Sequence, residues 1–303
     1  MLTEEYLQNP YGPSLEVLLE AAEKGNDHDL DLLVKNNNPE VRGAVARQGR
    51  DKDLNILVHD KKWTVRCYVA DQGRDRDLDI LVNDPNENVR EAVARQGRNQ
   101  DLDILVNDPA SNVRSAVADQ ERRKDLAVLV HDPDWLVRYE VAEQGRNVDL
   151  DVLVSDESLD VRCAVVHQRR NKDLDILVHD SEPYVRAEVA RQDRDQDLDV
   201  LVNDSDPYVR ETVAERGRQK DLAVLVKDKS WKVRLAVAKA STSKVILNKL
   251  LKDPVDSVRV SAIISLKSLG FLKEELDEDK AEERELNEQR RRRRLLAQQS
   301  VLA

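Results

Sequence analysis

The stretch DLDILVNDPNENVREAVARQGR, Asp77–Arg98, is followed at Asp101–Arg122 by DLDILVNDPASNVRSAVADQER, which differs from it at five positions. Repetition this close sets the fold before any single residue does. A Val-Arg pair recurs with its arginine at Arg42, Arg66, Arg90, Arg114, Arg138, Arg162, Arg186, Arg210 and Arg234, a step of 24 residues without a slip. An aspartate keeps the same step from Asp29 through Asp77 to Asp221. Taking that aspartate as position 1 puts the arginine at position 14. An altered tenth copy, KLLKDPVDSVRVSAIISL, carries Arg259 one residue late.

Within one copy, two pieces read as structured. Val89, Ala92, Val93 and Gln96 share a face at helical spacing. Asp84 is a candidate N-cap, Pro85 suits a first helical position, and Gly97 can take the left-handed turn that ends a helix. The preceding DLDILV is too short to be stable alone. Leu78, Leu81 and Val82 fit one or two helical turns, α or 3₁₀. A strand is the rival, since Leu78, Ile80 and Val82 also alternate. It would point Leu81 away from the core and lacks the Leu-x-x-Leu-x-Leu-x-x-Asn signature of sheet-forming repeats. The expectation is an all-α solenoid of 24-residue units, each a short helix plus an α-helix, with no sheet. One unit cannot bury its apolar face, but stacked units can.

The pattern Leu-x-x-Leu-Val-x-Asp-Pro-x-x-x-Val-Arg-x-x-Val-Ala over roughly Leu30 to Arg234 resembles the variant leucine-rich repeat. The resemblance implies a right-handed superhelix of alternating α- and 3₁₀-helices. The last copy is closer to HEAT repeats, which share the Asp-Pro…Val-Arg element. The chain departs from the family in ending its units with Gln-Gly-Arg instead of Asn-Pro, and in lacking an N-terminal cysteine cluster that could hold an iron–sulfur centre. Domains are expected at 1–28 (an N-terminal segment and a capping helix with Leu15, Leu18, Leu19 and Ala22 toward the array), 29–244 (nine regular repeats), 245–272 (an altered tenth repeat) and 273–303 (a charged tail).

The bulk composition agrees with a thin aliphatic core: 40% of residues are apolar, yet there is one Phe and one Met. Cys67 and Cys163, the two cysteines, form no disulfide framework and no zinc motif, and four layers separate them by about 30–40 Å. His59, His131 and His179 share position 7 but never in adjacent units, so no metal site is expected. No secretory signal is read at the N-terminus, and no apolar run approaches a membrane span. A cytoplasmic protein is expected.

Most recurring polar residues have structural explanations. Asp84 with Arg90, and Asp108 with Arg114, are read as a charge-assisted ladder between a helix cap and its neighbours. Gln96 and Gln120, at position 20 on the inward stripe, are read as an amide ladder. Arg50, Arg74 and Arg98 at position 22 are assigned to local pairing with Asp53, Asp77 and Asp101, against a rival basic stripe. The informative residues break the pattern. Trp63, Trp135 and Trp231 all stand at position 11; Tyr139 follows Trp135 one turn later; Leu159 takes position 11 beside Cys163; Tyr184 and Tyr208 share position 12. Two roles fit these side chains, anchors for a partner or covers for the seam between layers, and the sequence leaves both open. The block Arg290, Arg291, Arg292, Arg293 and Arg294 is a candidate electrostatic contact.

The function expected is that of a non-enzymatic scaffold that binds another protein through an extended surface, with no cofactor. The alternative is nucleic-acid binding through aligned arginines and the basic block, opposed by a formal net charge of −11.

Overall fold

The computed structural model describes residues 2–4 and 12–272. Its described residues hold 21 helices from Leu15 to Ser268 and no strand. The fold is an all-α solenoid built from helical pairs. The chain divides into two compact units, Met1–Arg169 and Arg170–Ala303. The first holds the helix Leu15–Lys24 and six pairs, from Asp27–Leu33 with Pro39–Arg47 to Asn147–Leu153 with Leu159–His167. The second holds four pairs, from Asn171–Leu177 with Pro183–Arg191 to Lys244–Leu250 with Asp256–Ser268.

One regular pair shows why the sequence folds this way. The short helix is Asp75–Leu81, beginning two residues before position 1, with Asp75 and Asp77 in its first turn. There they face the positive end of the helix dipole. It is α rather than 3₁₀, since the Val82 N–H donates to the Leu78 carbonyl four residues back. Seven residues do not hold a helix in isolation. Leu78 and Leu81, both fully buried, hold it through tertiary contact, each contributing roughly 1.5–3 kcal/mol.

The longer helix is Glu87–Arg95, capped by Asn86, whose side chain accepts from the Asn88 N–H. This corrects the assignment of Asp84 as N-cap. The Asp84 carboxylate accepts from the Asn86 N–H at 2.9 Å, in the turn before the helix, and its oxygens are also claimed by the preceding layer's Arg66. Pro85 likewise lies in that turn, outside the helix. Val89, Ala92, Val93 and Ala94 are buried, and within each unit successive long helices pack against one another through this Val/Ala stripe. Gly97 ends the helix at φ 71°, donating its N–H to the Ala94 carbonyl.

Two further expectations need correcting. Gln96 and its equivalents do not lie in the inward stripe: Gln96 is half-buried and Gln48 exposed. Gln96 is the C-cap of its helix, and Gln48, Gln72, Gln96, Gln120 and Gln168 are each laid over the glycine of the preceding layer. A Cβ placed on Gly97 would stand 2.8 Å from Oε1 of Gln120. Within the Leu15–Lys24 helix only Ala22 is buried, and Leu15 is exposed.

Candidate functional site

Two ladders of arginines fix the layers. In the first, Arg90 donates from Nε and Nη2 to the two carboxylate oxygens of Asp108 in the next layer, at 2.6 and 2.8 Å. Its Nη1 donates to the Asp84 carbonyl at 2.8 Å. One planar guanidinium thus holds a neighbouring carboxylate and the turn of its own layer. The same geometry joins Arg42 to Asp60, Arg66 to Asp84, Arg114 to Asp132 and Arg138 to Asp156 in the first unit. In the second unit it joins Arg186 to Asp204 and Arg210 to Asp228. Arg234 reaches Asp253 across one extra residue, which matches the late arginine of the tenth copy. Burial works to raise the Asp204 carboxyl, but Arg186 and the Asp206 N–H outweigh it and hold it below the ordinary range. At Asp253 the Arg234 bond dominates, with the same result.

The second ladder runs along the short helices. Arg98, which ends its layer, bonds Asp75 and Asp79 of that layer's short helix and Asp101 of the next layer's. The pairing is therefore local and between layers at once. In both ladders the guanidinium groups are largely enclosed and saturated by carboxylates. They do not line up as a basic groove.

The second ladder loosens at one layer. Before Arg146, the residues equivalent to Asp75 and Asp79 are Arg123 and Ala127. Arg146 therefore donates to the Arg123 carbonyl and stands 3.2 Å from Asp149, with a more exposed side chain than Arg98. Oδ2 of the buried Asp149 has no hydrogen bond, and burial, against the pull of Arg146, pushes its carboxyl up.

That same layer carries the pattern-breaking aromatics. Trp135 is the first residue of the helix Trp135–Glu143, after the cap Asp134. It stands two residues from buried Val137, about 200° round the helix, and 46% of its surface is exposed. Tyr139 follows one turn later, half-buried; burial, with Glu143 and Glu140 beside it, pushes its hydroxyl's pKa up. Leu136 is exposed on the adjoining flank, one turn before half-buried Glu140. Burial, then Asp119 of the preceding layer and Glu143, push the Glu140 carboxyl up.

The remaining candidates are distributed over both units. Trp63 is exposed and Leu159 half-buried in the first. In the second, the rings of Tyr184 and Tyr208 stack with centroids 6.4 Å apart and planes within 3°. Arg191 covers Tyr208 at 5.7 Å and donates to its hydroxyl at 2.7 Å. Trp231 is exposed there too. In the first unit Arg47 lies 4.7 Å over the Tyr68 ring, beside a groove of about 530 Å³ lined by Leu19, Glu23, Pro39 and Lys62. Cys67 and Cys163 are not joined in a disulfide. Burial, with Asp71 and Asp84 nearby, pushes the Cys67 thiol up to about 11, so it is protonated and unreactive at neutral pH. The arginine block Arg290–Arg294 lies outside the described residues.

Two features escaped sequence reading. Position 4 carries an exposed Ile or Val on each short helix from Ile56 through Ile104, 51% exposed, to Val152, and again at Ile176, Val200 and Val224. Its signal was an apolar residue at a fixed place in a period already known. The other is the set Asp119, Glu140 and Glu143, whose members belong to two layers and meet only once the layers are stacked.

A solved structure described as a leucine-rich repeat variant with a novel repetitive structural motif is 29% identical to this chain. The match covers 69% of this chain and 88% of that one, at a TM-score of 0.59. The fold is that of a leucine-rich repeat variant. This chain departs from the expected alternation by forming its short helices as α-helices. A solved structure of YibA from Escherichia coli is 20% identical over 86% of this chain and 99% of its own, with a TM-score of 0.32. No family model and no curated protein matches the sequence.

Proposed function

We propose that this chain is a binding scaffold for another protein, engaged through the outer flank of its long helices. The observation that carries the reading is where Trp135, Tyr184, Tyr208 and Trp231 stand. All four are exposed, and all occupy positions 11 or 12, which neither ladder uses. Isolated exposed apolar side chains are ordinary, but large exposed aromatics, Trp135 in the first unit and the stacked Tyr184 and Tyr208 with Trp231 in the second, are the residue types that anchor interfaces. A repeat fold supports this use, since each added layer extends surface while its outer positions stay free to vary.

The nucleic-acid alternative gains no support. Phosphate binding requires cationic groups that can exchange counterions for phosphates, whereas the arginines of positions 14 and 22 are held by carboxylates within the fold.

Immobilised full-length protein, presented with nuclease-treated extract of the source organism, tests the reading. The expected result is a protein retained by the wild type and lost with Trp135→Ala/Tyr139→Ala or with Tyr184→Ala/Tyr208→Ala. Identical retention by all three would overturn it, as would a retained set that nuclease abolishes.

A further inference from the structure

At two layers, position 19 of the preceding layer supplies a cation to an aromatic ring. Arg47 covers Tyr68 of the next layer, and Arg191 covers Tyr208 of the next. An arginine over a ring gains from the ring's negative face, and from the carboxylates around it. At the layer of Trp135 the arrangement is inverted. Position 19 of the preceding layer is Asp119, and position 19 of the same helix is Glu143. Glu140 stands near both, and Asp160 of the following layer acts on Tyr139 from the other side. Among the described residues, none of these four carboxylates has an ion-pair partner. Elsewhere the chain pairs carboxylates with arginine layer after layer.

The patch therefore combines an exposed indole, a half-buried phenol and the exposed Leu136 with four unanswered negative charges. Its rings and aliphatic surface suit a long stem, and its carboxylates suit a guanidinium or ammonium at the end of it. Resting on the scaffold reading above, we infer that the Trp135–Tyr139 flank receives an arginine-rich segment of a partner protein. An incoming arginine takes the place that Arg47 and Arg191 occupy at their own layers. An anionic or purely apolar segment leaves the four carboxylates uncompensated, which selects against it.

The test is titration of the full-length protein with a synthetic oligo-arginine peptide, followed by fluorescence anisotropy of the peptide. Asp119→Asn/Glu140→Gln/Glu143→Gln is expected to weaken binding by about tenfold or more, and Trp135→Ala by several-fold. Glu87→Gln/Glu182→Gln/Glu215→Gln removes as many charges from exposed sites elsewhere and is expected to leave binding within about twofold. Equal losses in the two triple variants would reduce the binding to general acidity and overturn the inference. Replacing Arg290 to Arg294 by Gln is expected to leave peptide affinity unchanged; a rise would show that the chain's own basic block fills the flank, which also overturns a partner segment as occupant. Failure here is separable from failure of the scaffold reading. In the first case a partner still depends on Trp135 and Tyr139 while oligo-arginine ignores the carboxylates; in the second no retained protein depends on the aromatics.

Discussion

The layers that end in Arg98 and in Arg146 are built from nearly the same sequence and differ in how their charges are answered. Arg98 bonds Asp101, Asp75 and Asp79 together. Arg146 has Arg123 and Ala127 where those last two carboxylates would be, and its own Asp149 keeps an oxygen without a hydrogen bond. The layer with the looser rung also displays Trp135, Leu136 and Tyr139. The contrast separates residues selected for stacking from residues free to do something else. Where the ladder is complete, its recurring arginines and aspartates answer one another within the fold. Where it is relaxed, aromatic and acidic side chains face solvent.

The largest effect that can break this comparison lies in the ladders. Arg90→Ala strands Asp108, whose side chain is almost wholly buried beside it, and the expected loss is about 3 kcal/mol in urea unfolding. Arg90→Lys recovers part of it, because an ammonium cannot bind both carboxylate oxygens in the guanidinium's plane. Arg146→Ala is expected to cost less, about 1–2 kcal/mol, because Arg146 already leaves one oxygen of the buried Asp149 without a hydrogen bond and burial has pushed that carboxyl toward its neutral form. Equal losses at the two sites would erase the distinction between the layers.

A smaller effect concerns the left-handed turn. Gly97→Ala combines a φ of 71° with a Cβ 2.8 Å from Gln120, and a loss of about 1–2 kcal/mol is expected. The converse is available in the same unit, where Glu121 occupies the equivalent place at φ 58°. Glu121→Gly should stabilise by up to about 1 kcal/mol, through relief of the Cβ against its own backbone. Thermal unfolding of the two variants gives the signs directly; a destabilised Glu121→Gly would mean its side chain makes contacts that outweigh the strain.

Smaller still is the cost of removing the exposed rings. Trp135→Ala/Tyr139→Ala is expected to shift stability by less than about 1 kcal/mol, most of it from the half-buried tyrosine. A loss of about 3 kcal/mol or more, the range for truncating a core aromatic, would make these rings covers for the seam between layers. The scaffold reading would then lose its main support.

Much of the fold was legible because its information is local and repeated. The 24-residue step, the Leu78/Leu81 and Val89/Val93 stripes and the Gly97 terminator each follow from spacing within one copy. What escaped depends on the neighbouring layer. Asp84 and Asn86 are equally good caps by composition. Arg66, eighteen residues earlier, takes the first into the ladder and leaves the cap to the second. Gln96 shares a helical face with Val89 and Val93, but it falls at the C-cap, where the preceding glycine gives it a shelf. The aromatic candidates were found by their departure from the repeat. Their acidic companions were not, because Asp119 and Glu140 become neighbours only through stacking; comparing position 19 across copies would have exposed the run Arg95, Asp119, Glu143.

The finest distinction is one of sign with pH. Asp204 and Asp253 sit below the ordinary carboxyl range in the fold. Their contribution is complete above the unfolded value of about 4 and is lost as pH falls through the lower folded value. Glu140 is displaced upward by burial, Asp119 and Glu143. On raising the pH from about 4, its carboxyl ionises in the unfolded chain before it does in the folded one, so it withdraws stability as the pH climbs. Glu140→Gln removes that penalty, and a gain of a few tenths of a kcal/mol is expected at pH 7 with none at pH 4. Asp253→Asn has the opposite profile, destabilising at pH 7 and progressively less so as acid removes the charge that Arg234 holds. Urea midpoints of both variants at the two pH values provide the check. If Glu140→Gln proved as destabilising at pH 7 as Asp253→Asn, then Glu140 would have a cationic partner in the fold, and the flank beside Trp135 would offer nothing for an incoming arginine to answer.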